Sequence, residues 1–97
     1  MVQIVWTKQA FEDLKDIKDY ISKESKRYAE LQITKIIDRT EILIKYPYVG
    51  RIVPEIDKDN IRELIEGNYR IVYKIYKEKI FILTIYHTSR RLKIDDN

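Results

Sequence analysis

Apolar residues recur along this chain with two different periods, and the change between them divides it in half. Residues 2–6 form a short alternating stretch rich in Val and Ile, which predicts a first strand. Thr7 is placed to cap a helix by accepting from the amides that follow it. Ala10, Phe11, Leu14, Ile17 and Ile21 then fall at three-to-four spacing and make one apolar stripe. Glu12, Asp13, Lys15, Asp16, Lys18 and Asp19 lie between them as a solvated face. This helix is expected to end within 22–25. A second helical pattern runs over 26–46, with Ala29, Ile33, Ile36, Ile37, Thr40, Leu43 and Ile44 as its stripe. A short connection between two such helices makes an antiparallel hairpin. Pro47 stops the second helix, and Gly50 supplies a turn.

Residues 47–60 have no period. Beyond them the period is two. Residues 61–66 form a strand candidate, and Gly67-Asn68 is a tight-turn pair. Residues 69–76 form a strong strand. One face carries Tyr69, Ile71, Tyr73 and Ile75, and the other Arg70, Val72, Lys74 and Tyr76. Lys77-Glu78-Lys79 is a polar turn. Residues 80–87 are nearly all apolar, as suits an interior strand. The tail from Thr88 onward is polar, with Leu92 and Ile94 as its only docking candidates. The expected fold is α+β: an N-terminal strand and a helical hairpin packed on an antiparallel sheet of about four strands. The hairpin covers one sheet face and leaves the other at least partly open.

Composition narrows the chemistry. Ninety-seven residues allow a single domain over 1–97, burying roughly 60–70% of the unfolded surface. The chain is 44% hydrophobic with eight tyrosines, too apolar and aromatic for a disordered segment. It contains no cysteine and one histidine, so disulfides, thiolate catalysis and a structural zinc site are not expected, and no metal or other cofactor is implied. No apolar run nears the roughly 18 residues of a membrane span. The opening residues 1–6 are too short for a signal peptide, and Glu12 and Asp13 soon interrupt them, so a cytoplasmic protein without a membrane partner is expected. The net charge of +3 matters only if the cations gather on one face.

Arg70 is the first candidate for such a face, because it interrupts an otherwise apolar and aromatic strand. Lys74 and Tyr76 share its side of the strand. Arg62, on the preceding strand, joins them if the hairpin register allows, and Arg90 and Arg91 follow the last strand. Together they would make a concave arginine-rich surface suited to phosphate or to a charged target. The alternative is a cross-strand pair of Arg70 with Glu63 or Glu66, worth about 0.2–1 kcal/mol. Spacing does not separate the two. His87 ends the last strand, where it serves either structure or acid–base chemistry. Most tyrosines are explained as core-edge residues with a wet hydroxyl. No carboxylate pair, serine triad or phosphate-cradling glycine loop is present.

The ordered set of residues resembles the RelE/ParE toxins. It comprises Ala10 and Leu14, Ile17 with Tyr20-Ile21, Pro47 with Gly50-Arg51, and Pro54-Glu55. It continues through Ile61-Arg62-Glu63-Leu64, Asn68-Tyr69-Arg70-Ile71-Val72-Tyr73, the apolar last strand, and His87 followed by Arg90. The match spans roughly residues 6–91; each piece is weak, but the ordered set is fairly specific. The resemblance implies a toxin of a type II toxin–antitoxin (plasmid stabilisation) pair, held inactive by a cognate antitoxin in a hetero-oligomer. RelE-like members cut mRNA in the ribosome. ParE-like members inhibit DNA gyrase and show no nuclease activity.

Such RNA cleavage needs a base for the ribose 2′-hydroxyl, cations for the phosphate and an acid for the leaving oxygen. The resemblance places lysines on the second strand of the sheet, an arginine on the third, another arginine after the fourth and a tyrosine near the C-terminus. Arg70 matches the third-strand arginine, and Arg90 or Arg91 matches the later one. The lysines are absent, with Arg62, Glu63 and Glu66 in that strand instead, and no tyrosine follows Tyr86. Some relatives use a late histidine, so Arg70, Arg90 and His87 form the catalytic set if the chain is a metal-independent endoribonuclease. The departures favour a ParE-like gyrase inhibitor. Ribosome-dependent mRNA cleavage is the alternative, and a non-toxic basic nucleic-acid-binding domain the further one.

Overall fold

The computed structural model describes residues 2–89. The elements run β1 (Gln3–Trp6), α1 (Lys8–Ser22), α2 (Lys26–Thr40), α3 (Ile42–Lys45), β2 (Arg51–Ile52), β3 (Ile61–Glu66), β4 (Tyr69–Tyr76) and β5 (Lys79–His87). They build one five-stranded sheet in the order β1-β5-β4-β3-β2. The last three strands form the expected antiparallel meander. β1 instead pairs parallel to β5, so the sheet is mixed. The fifth strand, β2, lies inside the stretch that shows no period.

Local chemistry explains the helix boundaries. Thr7 accepts from the Ala10 amide at 3.2 Å, and its hydroxyl donates to the Ile82 carbonyl at 2.7 Å. The cap therefore also ties α1 to β5. Ser25 caps α2 by accepting from the Tyr28 amide at 3.0 Å. The second helix does not run unbroken over 26–46. Thr40 donates its hydroxyl to the Ile37 carbonyl, and the Glu41 amide turns to Asp38. Both contacts tighten the last turn of α2 and break the helix at Glu41, before α3 resumes it.

The helical hairpin lies on one sheet face. Ala10, Ile36 and Leu43 pack there on Leu64, Ile71, Tyr73, Ile75, Ile80, Ile82 and Ile85. The helical stripes are narrower than their spacing predicts. Phe11, Ile37 and Ile44 face solvent, while Gln32 is buried. The opposite sheet face is not bare. Val53 and Ile56, from the segment after β2, pack on Ile61, Val72, Leu83 and Tyr86.

A register shift between Val72 and Tyr73 gives β5 one extra residue, Leu83. Ile82 and Ile85 therefore both face the helices although they lie an odd number of positions apart. This is the effect of a β-bulge. Asp13 on α1 fastens it, accepting from the Thr84 hydroxyl and from the Ile85 amide at 3.2 Å. Asp13→Ala is expected to lower stability by about 1–3 kcal/mol through these lost bonds. Urea denaturation of both proteins measures it, and an unchanged midpoint would mean that the bulge holds without α1.

Candidate functional site

The β3–β4 register fixes where the charged side chains go. Ile65 lies opposite Arg70, Glu63 opposite Val72, and Arg62 opposite Tyr73. Arg70 and Glu63 therefore share the face away from the helices. On the far side of β3, β2 sets Arg51 opposite Glu63. Glu63 stands between two arginines as a result of strand order.

Arg70 is almost wholly buried, at 6% exposure. Its Nε donates to Glu63 at 2.5 Å, and its Nη1 and Nη2 donate to the two oxygens of Glu55, each at 2.9 Å. The second Glu63 oxygen accepts from Arg51 Nε. The Glu63 side chain is completely buried, whereas that of Arg51 is 63% exposed. Two arginines and two glutamates cancel, so the formal charge of the cluster is zero. The Glu55 hydrogen bonds, seconded by Glu63, hold the Arg70 guanidinium charged even more firmly than in free arginine, against the opposing pull of burial. Each nitrogen of that guanidinium already faces a carboxylate. What this arrangement does chemically is strap the 53–57 segment onto the sheet.

Among the described candidates, Arg62 and His87 do not share a face with Arg70. Arg62 lies on the other face. Its Nε donates to the Asp59 carbonyl, its Nη2 to the Asp59 carboxylate, and its Nη1 to the carbonyls of Tyr48 and Gly50. The expected Arg62–Arg70 surface does not form, because successive strand residues alternate faces. Lys74 keeps Arg70's face, half-buried between Ile61 and Phe81. His87 sits opposite Tyr69, on the helix side, with the rings edge-on at 5.4 Å. The Ser89 amide donates to its Nδ1. Arg70 and His87 thus lie on opposite faces of the sheet. Arg90 and Arg91 lie outside the described residues. Among the described residues no cluster of His, Asp and Glu is suited to a metal ion.

Of the two carboxylates considered as partners for Arg70, Glu63 is the one engaged; Glu66 lies opposite Tyr69 on the other face. Arg51 and Glu55 belong to the ordered set that carries the family resemblance, but their pairing with Glu63 and Arg70 does not follow from the sequence, because neither lies in a periodic stretch. Tyr73 packs against the helices with Ile71 and Ile75, and its hydroxyl has a further task. It donates to the Pro47 carbonyl at 2.8 Å and accepts from the Gly50 amide at 2.9 Å. Burial pushes this hydroxyl above its ordinary range against the Gly50 amide, which keeps it a donor.

This fold, with its helical hairpin on a mixed five-stranded sheet, is that of the RelE/ParE-like toxins. The chain belongs to the family described as ParE toxin of type II toxin-antitoxin system, parDE, whose model matches residues 4–92. It is 32% identical over 91 residues to Toxin RelE2 of Caulobacter vibrioides, covering 93% of this chain and 99% of that one. Its fold is similar to that in the chromosomal ParDE TA system from P. aeruginosa, with a TM-score of 0.74, 22% identity, and 90% and 96% of the two chains covered. It is also similar to that of the YoeB/ParE toxin from Agrobacterium tumefaciens, with a TM-score of 0.61, 16% identity, and 89% and 98% covered. Among the described residues no helix is long and apolar enough to cross a membrane.

Proposed function

We propose that this toxin arrests growth in the cytoplasm by inhibiting DNA gyrase rather than by cutting RNA, and that a cognate antitoxin silences it in a toxin–antitoxin hetero-oligomer. The observation that supports this reading is the closure of Arg70. A phosphate-stabilising arginine must offer its donors to the phosphate. Here Glu63 and Glu55 take the guanidinium, and two carboxylates beside it repel a phosphate backbone. The His87 imidazole is on the other side of the sheet.

The likeness to a toxin named RelE2 motivates a second reading, mRNA cleavage by Arg70, His87 and Arg90. It requires Glu55 to release Arg70 on the ribosome. Induction of the chain alone in bacteria separates the readings. Growth arrest with intact mRNA and a DNA-damage response is the expected result, together with loss of gyrase supercoiling activity when the purified toxin is added. Codon-linked mRNA ends without DNA damage would overturn the gyrase reading. Undisturbed growth at confirmed soluble expression would overturn both.

A further inference from the structure

From the end of α3 to β2 the chain exposes apolar side chains. Tyr46, Tyr48, Val49 and Ile44 are each about half exposed. Lys45, Tyr46, Pro47, Tyr48 and Val49 line a shallow depression of 390 Å³. Exposed apolar residues gathered in one place mark interaction sites, whereas scattered ones need no explanation.

The backbone behind this surface is fastened with unusual care for a loop. Tyr73, from the central strand β4, holds both ends through Pro47 and Gly50. Arg62, from β3, bonds the carbonyls of Tyr48 and Gly50 and lies 5.0 Å over the Tyr48 ring. The Val49 amide closes a turn onto the Tyr46 carbonyl at 3.1 Å. None of these bonds buries Tyr46, Tyr48 or Val49. They fix the backbone and leave the apolar side chains outside. A loop held in its bound shape before binding loses little entropy on association, as suits an anchor for a folded partner.

We propose that residues 46–49 form the surface through which this toxin grips the protein it inhibits. It would take an apolar side chain between Tyr46 and Tyr48, with a carboxylate beside Lys45. The chemistry of the surface selects a protein over a nucleic acid. Three nitrogens of Arg62 are spent on Asp59 and on backbone carbonyls, and Arg62 covers one face of Tyr48. Neither a free guanidinium nor a fully open ring is left there for phosphate and base. The charge that remains at the margin is positive. Lys45 sits over the Tyr46 ring at 5.6 Å. An acidic rim on the partner complements it. The inference rests on the reading that arrest proceeds through a protein target.

The test compares Tyr46→Ala/Val49→Ser and Lys45→Glu with the unaltered toxin. Growth arrest is titrated by inducer, inhibition of purified gyrase is measured, and binding is measured to the antitoxin encoded by the adjacent reading frame. Both variants are expected to need at least ten-fold more toxin for arrest and for gyrase inhibition, with antitoxin affinity within two-fold. Lys45→Glu removes the cation–π contact with Tyr46 but none of the hydrogen bonds that hold the loop, so it remains informative if the double variant unfolds. Arrest at unchanged potency overturns the proposal. So does a loss of antitoxin affinity in step with potency, which would give the loop to the antitoxin. Loop-dependent binding of a single-stranded RNA oligonucleotide would overturn it in favour of a nucleic-acid platform. If gyrase is untouched by the unaltered toxin while the variants still lose arrest, the gyrase reading fails and the loop proposal stands.

Discussion

Arg70→Ala is expected to cost about 3–5 kcal/mol of folding stability, the usual penalty for removing one partner of a buried ion pair. Domains of this kind hold about 5–15 kcal/mol in total, so the loss takes about a third of a stable domain's reserve and nearly all of a marginal one's. The reason lies in Glu63, whose side chain has no solvent exposure. Without Arg70 it keeps only Arg51, a mostly exposed partner on an edge strand. Glu55 loses both bonds to Arg70, which leaves the Val53 amide on the Ile61 carbonyl as a tie of the 53–57 segment to the sheet. The cover of Val53 and Ile56 over Val72 and Ile61 is loosened. Arg51→Ala breaks the same cluster from its exposed side and is expected to cost less, about 1–3 kcal/mol, for the one buried Glu63 oxygen it leaves without a donor. Arg70→Met combined with Glu63→Leu is expected to recover part of the loss, because the isolated charge is gone. Urea denaturation of the four proteins decides the matter. A folded Arg70→Ala protein of undiminished stability that no longer arrests growth would mean that Arg70 serves the target, not the fold.

That expectation takes one of the two readings of Arg70, an ion-pair partner or a phosphate donor, that spacing alone does not separate. Alternation in 69–76 does show which residues face the helices, because a buried face must be apolar. It also shows that Arg70 points the other way. It does not show what waits there. Glu55 lies fifteen positions back, in a stretch where no period predicts a path, and only the fold of that stretch brings it over the sheet. The two residues of β2 are too few to show a period. Arg62 illustrates the opposite limit, since its neighbourhood follows from register, and register depends on where the hairpin turns. Gly67, at φ +58°, sets that turn and was legible as such. The bulge at Leu83 was not, because one inserted residue in an all-apolar strand leaves the pattern unchanged. The helical stripes misplace Phe11 and Ile37 since a hairpin on a twisted sheet buries less than half of each helix. The family resemblance rested on residues that hold the sheet and its loops together, which explains why it reads the fold more firmly than the target.

Gly50→Ala should be nearly as damaging as Arg70→Ala, and for a different reason. The conformation of Gly50 is open to any residue, but the space is not. A methyl group there would lie 2.5 Å from the Tyr73 hydroxyl oxygen and 2.6 Å from the Glu63 carbonyl oxygen. The hydroxyl can rotate away only by leaving the Gly50 amide and Pro47. The carbonyl belongs to β3 and can move only with the β2–β3 pairing. Overpacking costs about 1–3 kcal/mol. A buried hydroxyl parted from its partners adds about 1–3 kcal/mol more. Gly67→Ala makes a useful contrast. Its nearest neighbour is the Gln32 amide at 3.6 Å, so only the left-handed backbone penalty of about 1–2 kcal/mol applies. Tyr73→Phe removes the same hydroxyl that Gly50→Ala displaces, so the double variant should lose less than the two single losses added together. Thermal and urea unfolding of the set give the coupling directly. Strict additivity would show that the glycine and the tyrosine act separately. Coupling together with weakened growth arrest in whatever fraction stays folded would show that they hold the 46–49 loop as one device, with the core strand β4 fixing the shape of an exposed surface.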